Sequence, residues 1–172
     1  MPSLRITAGT LRGRRIPVPQ RDVRPTSERA RQAFFNIIGE RIDGAQFLDL
    51  FAGTGIFSFE AVSRGAEKAT AIDGRVDAIT RLATEWQVPV TTIAGDVLNT
   101  VPRLTTAFDL AYADPPYEYE HYDALLSTLD RAPVALAAIE HRKRTDPFTI
   151  TPERLKFERR AEYGEVWITF FA

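Results

Sequence analysis

Cysteine is absent from the 172-residue chain, which excludes disulfides, thiolate zinc centres, iron–sulfur clusters and cysteine nucleophiles together. Histidine is scarce: only His121 and His141 are present, so no metal centre is expected. Long apolar runs are missing too. Met1-Pro2-Ser3-Leu4-Arg5 lacks the core of a signal peptide, and no later stretch reaches the roughly 20 apolar residues that cross a bilayer. The expectation is a cytoplasmic protein with no membrane partner. Repeats, low-complexity segments and an interdomain linker are likewise lacking. What is present, 44% hydrophobic and 26% charged residues, is the composition of a folded globular protein. Its length suits one core, with no room for a separate substrate domain.

A net charge of −1 conceals an asymmetry. Residues 1–31 hold Arg5, Arg12, Arg14, Arg15, Arg21, Arg24, Arg29 and Arg31 against Asp22 and Glu28, giving +6 and leaving −7 for the remainder. A solvated basic arm would look the same. Every one of these cations is arginine, however, whose planar fork binds phosphate in two places and stacks on bases, so a nucleic-acid footprint is the sharper reading. Arg5, Arg12, Arg14, Arg15 and Arg24 are its candidate RNA contacts.

Leu4–Ala8 and Arg14–Val18 flank a glycine-bearing loop and read as a β-hairpin, giving an arginine-rich appendage over residues 1–25. The rest of the chain, 26–172, reads as the main domain. Thr26 can cap a helix in which Ala30, Ala33, Phe34, Ile37 and Ile38 recur at helical spacing. Strands are then expected at Phe47–Phe51, Ala69–Asp73, Val90–Ala94, Phe108–Ala113 and Val134–Glu140. Helices are expected between them at Ile56–Arg64, Arg75–Trp86 and Tyr122–Leu129. This alternation predicts an α/β fold: a mostly parallel seven-stranded sheet with helices on both faces. Leu155–Arg160 and Glu165–Phe171, around the Tyr163-Gly164 turn, predict a closing antiparallel hairpin.

Four segments carry chemistry, each at a strand's carboxyl end, where open α/β sheets bind ligands. The first runs from Asp49 through Phe51, Gly53, Thr54 and Gly55, an apolar strand entering a glycine turn before a helix. Such a turn lets a ligand approach the backbone, although a tight connection needs glycines as well. Asp49 decides between ligands, because a carboxylate there would crowd a pyrophosphate but suits a cationic amino-acid moiety. S-adenosylmethionine is therefore favoured over a dinucleotide. Asp73 ends the next strand, placed to accept hydrogen bonds from ribose hydroxyls, or simply to start a turn. Asp96-Val97 follows the third strand and could accept from an adenine amino group.

The fourth segment, Asp114-Pro115-Pro116-Tyr117, fits a planar amine. The lone pair of such an amine is delocalised into its ring, so the group must be held in line with the methyl donor while its hydrogens are engaged. Asp114 can accept one hydrogen and the Pro115 carbonyl the other, while Pro116 stiffens the loop and Tyr117 stacks on a base turned out of its helix. An isolated Asp-Pro-Pro can also be only a stiff turn.

At this level of detail the chain resembles the bacterial 16S ribosomal RNA guanine-N2 methyltransferases that act on guanine 966 of the small subunit. The resemblance rests on Arg5-Ile6-Thr7-Ala8-Gly9, Arg12-Gly13-Arg14, Arg24-Pro25-Thr26-Ser27-Glu28-Arg29-Ala30-Arg31, the Asp49–Gly55 segment, Glu60–Ala66 and Asp114–Tyr117. It implies S-adenosylmethionine as cofactor, with Thr26 and Arg29 near its methionine end, an N-terminal hairpin gripping RNA, and a monomer working on 16S RNA within the 30S subunit or an assembly intermediate. Three alternatives stay open on the residues alone. They are transfer to adenine N6 or to a glutamine amide, a nicotinamide-dependent oxidoreductase, and a non-catalytic RNA-binding factor.

Overall fold

The computed structural model describes residues 2–19, 27–142 and 146–172. A two-stranded hairpin, β1 (Ser3–Arg5) and β2 (Arg15–Pro17), is followed by α1 (Ser27–Ile38), β3 (Gln46–Leu50), α2 (Ile56–Ser63), β4 (Lys68–Asp73), α3 (Asp77–Trp86) and β5 (Val90–Ala94). Next come α4 (Val97–Thr100), β6 (Phe108–Ala113), α5 (Tyr122–Arg131), β7 (Val134–Arg142), β8 (Phe157–Tyr163) and β9 (Val166–Phe171). The seven-stranded sheet has the order β5-β4-β3-β6-β7-β9-β8. Its first five strands are parallel, and β9 is antiparallel to both β7 and β8.

Period-two alternation divides the core between the sheet's two faces. On β3, Phe47 joins the cluster containing Phe34, Phe35, Phe57, Phe59 and Ile79 from α1, α2 and α3. Leu48 and Leu50 join the opposite cluster, with Val97 from α4 and Leu125, Leu126 and Leu129 from α5. The apolar residues of the expected helices therefore do the packing, with Phe34, Phe35, Phe57 and Phe59 all in the core.

Of the boundaries that differ from the sequence reading, two carry consequences for packing. Strand β7 continues past the expected end at Glu140 to Arg142, and His141 is buried on it. Its Nε2 lies 2.7 Å from the Thr169 hydroxyl, and burial pushes its pKa down to about 4. The last hairpin starts later than Leu155 because Arg154 and Leu155 have other work. The Arg154 guanidinium donates to the carbonyls of Leu129, Asp130, Ala132 and Val134, closing the end of α5, while the buried Leu155 donates its N–H to Asp130 at 2.6 Å.

The N-terminal hairpin is bonded onto α2. Thr7 and Ala8 donate their N–H groups to the Glu60 carboxylate, and Leu11 N–H donates to the Ser63 hydroxyl at 2.9 Å. Gly9, at φ +81°, has no room for a side chain: a Cβ would stand 1.7 Å from the Ser63 carbonyl oxygen. Arg14 reaches over the Trp86 ring at 5.1 Å, and that ring packs against the core, meeting Phe59 edge-on. Arg31, counted by charge with the basic arm, is fully buried beside Glu60 and donates to the Arg5 carbonyl at 2.8 Å. It is an internal tie rather than part of a surface footprint.

Candidate active site

The order 5-4-3-6-7 reverses its direction of growth between β3 and β6, and this switch point opens a crevice at the strands' carboxyl ends. Leu50 pairs with Ala113 there in parallel register, so the turn after β3 and the Asp114 loop after β6 leave the sheet side by side. The Asp114 N–H donates to the Leu50 carbonyl at 3.3 Å. The rim thus runs Asp96, Asp73, Gly53, Asp114 across β5, β4, β3 and β6.

The turn after β3 is conformationally demanding. Phe51 adopts φ +57°, a left-handed backbone unusual for a bulky residue and typical of functional turns. Gly53 and Gly55 follow at φ +55° and +77°. The two glycines differ in purpose. A Cβ on Gly53 would meet only the Phe51 carbonyl oxygen, at 4.0 Å, whereas one on Gly55 would press on the Ile79 side chain at 3.0 Å. Gly53 is therefore the one with open space for a ligand, and Gly55 lets α2 and α3 close. Thr54 between them is half-buried.

Asp73 braces this turn: one carboxylate oxygen accepts from Gly53 N–H at 2.9 Å and the other from Arg75 N–H at 3.1 Å. Asp96 caps α4 by accepting from Asn99 N–H at 3.0 Å. Val97 is buried in the core beside it, so only its backbone borders the rim. Asp49 is buried under the turn, where one oxygen accepts from the Ser58 N–H and hydroxyl at 3.0 and 2.7 Å. In the loop after β6 Asp114 is half-buried, Pro115 is buried, and Pro116 and Tyr117 are exposed, with the Arg142 guanidinium lying over the Tyr117 ring. Arg29 is exposed on α1. Thr26 and Arg24 lie outside the described residues. Arg5, Arg12, Arg14 and Arg15 are exposed on the hairpin.

Burial raises the Asp49 pKa to about 7. The Ser58 hydrogen bonds oppose this and the charges of Asp114 and Asp73 add to it. Between the ordinary carboxylate range and pH 7 the folded protein therefore holds a proton that the unfolded chain releases, so this residue makes the fold less stable as pH rises. Asp49→Asn keeps an acceptor for Ser58 and removes the ionisation, which is worth on the order of 4 kcal/mol at most. The melting temperature of the variant relative to the wild-type protein should rise between pH 4 and pH 8. A difference independent of pH would contradict the raised ionisation.

Sequence reasoning missed two features. Tyr112 donates its hydroxyl to Glu140, which stands beside Asp114 because Ala113 pairs with Ile139. The only sequence signal was a strand ending in a carboxylate, as at Asp73. Tyr119, two residues beyond Tyr117, turns inward: its ring meets Phe51 edge-on at 5.2 Å, and its N–H donates to the Pro116 carbonyl at 2.9 Å. Burial, then the charge of Asp96, push its pKa up to about 12.

A family model described as Conserved hypothetical protein 95 matches residues 4–172. The Ribosomal RNA small subunit methyltransferase D of Haemophilus influenzae is 32% identical over 163 residues, covering 87% of this chain and 83% of that one. The solved structure of a candidate methyltransferase, yhhF of Escherichia coli, superposes with a TM-score of 0.85 at 28% identity, covering 99% and 97% of the two chains. A 16S rRNA N2 G1207 methyltransferase of Thermus thermophilus, at 16% identity and a TM-score of 0.74, shares the fold over 98% of this chain and 49% of its own.

Proposed function

The chain belongs to the conserved hypothetical protein 95 family, and from that premise we propose that it is an S-adenosylmethionine-dependent methyltransferase acting on the N2 amine of a guanine in 16S ribosomal RNA. The observation that carries the proposal is the parallel pairing of β3 with β6, which sets the Gly53 turn beside Asp114 at one rim. The name of the Haemophilus relative, a ribosomal RNA small subunit methyltransferase, supports the substrate class.

The residues at the rim suit the cofactor. Gly53 leaves open space, Asp73 offers a carboxylate to hydroxyls, Asp49 beneath the turn favours a nearby cation through its charge, and Tyr119 holds a shielded hydroxyl without a hydrogen-bond partner among the described residues. Phe51, Thr54, Gly55, Asp96 and Val97 complete the proposed cradle, with Thr26 and Arg29 from the segment leading into α1. Bound there, S-adenosylmethionine supplies a methyl group on a positively charged sulfur.

Asp114 and the Pro115 carbonyl engage the two hydrogens of the target amine and turn its lone pair toward the donor. Pro116 fixes the loop and Tyr117 stacks on the base. On accepting the methyl group that the cofactor would supply, the amine would give up one proton to water. Asp114 is placed to steady the positive charge that builds on the nitrogen before that loss.

The hairpin, residues 1–25, is proposed as the RNA grip on the methyltransferase domain, 26–172, of a monomer in the cytoplasm. Among the described residues no helix is long and apolar enough to cross a membrane. Arg5, Arg12, Arg14, Arg15 and Arg24 would contact phosphates of 16S RNA within the 30S subunit or its precursor. Replacing Arg12 and Arg15 by Ala should then lower the slope of log affinity against log salt by about 1 for each phosphate no longer neutralised. An unchanged slope would remove the hairpin from the interface. Mass spectrometry of 16S RNA in unmethylated particles, before and after exposure to the protein and cofactor, tests the function as a whole. A single methylated guanine is expected, whereas a methylated adenine or no change would overturn the proposal.

A further inference from the structure

Tyr119 has the wrong surroundings for a residue that only packs. Its ring is held on three sides, by Phe51 at 5.2 Å, Tyr122 at 5.2 Å and His121 at 5.7 Å. Its hydroxyl is shielded from solvent and has no hydrogen-bond partner among the described residues. A buried hydroxyl in that state carries a desolvation cost that phenylalanine at the same position would avoid. The chain nevertheless fixes this ring from two directions, through the Tyr119 N–H bond to Pro116 and through the strained Phe51 backbone.

The hydroxyl's location gives it a use. Asp96, at the end of β5, is near enough to act on Tyr119 electrostatically. One oxygen of Asp96 caps α4 and the other makes no hydrogen bond to any described residue. The Tyr119 hydroxyl is a donor and Asp96 a pure acceptor; Tyr119 is anchored to the rim by its contact with Phe51 in the turn after β3, and Asp96 follows β5 at the same rim. Adenine offers the complementary set along one edge, an amino donor flanked by ring-nitrogen acceptors.

Resting on the methyltransferase reading above, we propose that Tyr119 is a cofactor-binding and specificity residue whose hydroxyl donates to an adenine ring nitrogen while Asp96 accepts from the amino group. Tyr119 also ties two functions together, because it lies on the same loop as the Asp114–Tyr117 clamp. A seated adenine then fixes the loop that holds the target amine.

Calorimetry with S-adenosylhomocysteine and its deaminated analogue S-inosylhomocysteine tests this without any turnover. The analogue carries an acceptor where adenine has its amino donor and a donor at the neighbouring ring nitrogen, opposing both protein groups. The wild-type protein should prefer the adenosyl compound, and Tyr119→Phe should bind it about 10-fold more weakly, with a smaller preference over the inosyl compound. The same variant without ligand should melt at least as high as wild type, because the unsatisfied hydroxyl is gone. That combination of weaker binding and undiminished stability is one a packing role would not produce. Equal affinity of wild type and Tyr119→Phe for S-adenosylhomocysteine would overturn the inference while leaving the methyltransferase reading intact. Failure of the wild-type protein to bind S-adenosylhomocysteine at all would overturn both.

Discussion

Asp114→Ala is expected to lower methyl transfer to 16S RNA by roughly 10²–10⁴-fold, the range associated with removing a positioned acid–base group. Binding of S-adenosylhomocysteine should change little, because Asp114 is proposed to engage the target amine, whereas the proposed cradle draws on the ends of β3, β4 and β5 and on Tyr119 farther along the loop. The separation of these effects is the informative part. Alanine leaves the Pro115 carbonyl as the sole acceptor, so the amine can rotate and its lone pair is no longer held toward the donor. Asp114→Asn retains a carbonyl acceptor but not the negative charge, and should fall between the two. Single-turnover rates with unmethylated 30S particles measure this directly. Undiminished transfer by the alanine variant would remove Asp114 from the chemistry.

The second large effect lies away from the rim. Glu60 is fully buried and meets five groups: the N–H groups of Thr7 and Ala8, the Thr7 hydroxyl at 2.6 Å, Arg64 at 3.0 Å and Arg31 at 3.4 Å. Arg31 is itself fully buried; desolvation lowers its pKa, and Glu60 is the main charge opposing that shift. Glu60→Ala would strand the Arg31 charge and two backbone donors in the interior. Breaking a buried pair from one side costs about 3–5 kcal/mol, so the melting temperature should fall by roughly 10 °C. Because the same carboxylate fastens the hairpin, tryptic cleavage at Arg12, Arg14 and Arg15 should accelerate well below the melting transition. A loss under about 1 kcal/mol in urea unfolding would show that water satisfies these groups and that the joint is not buried in solution.

Much of the sheet was legible because its signals are local. Leu48 and Leu50 alternate with Phe47 and Asp49, and the apolar residues of α1 recur at helical spacing, so strand, helix and order could be read from neighbours a few positions apart. The rim could be read for a related reason. Once strands are parallel, residues at their carboxyl ends must share one edge, which brought Asp49, Asp73, Asp96 and Asp114 together before any coordinates. The joint between hairpin and body was not legible, since Thr7 meets Glu60 across 53 positions and neither carries a mark of its partner. The burial of His141 was not legible either, because it depends on β9, which pairs with β7 and brings Thr169 to its ring.

Sequence by itself determined that the chain is an α/β domain with acidic residues and a glycine turn at successive strand ends, and that the Asp114–Tyr117 loop, proposed above to hold the amine, follows the strand Phe108–Ala113. Tertiary structure alone decided how each carboxylate is engaged: Asp49 against Ser58, Asp73 against Gly53, Asp96 on α4, and Glu60 as the internal tie to the hairpin. The reason is that strand-end position follows from the backbone's period. A carboxylate's partners and ionisation depend on which donors other segments bring within about 3 Å and on how far water is excluded there.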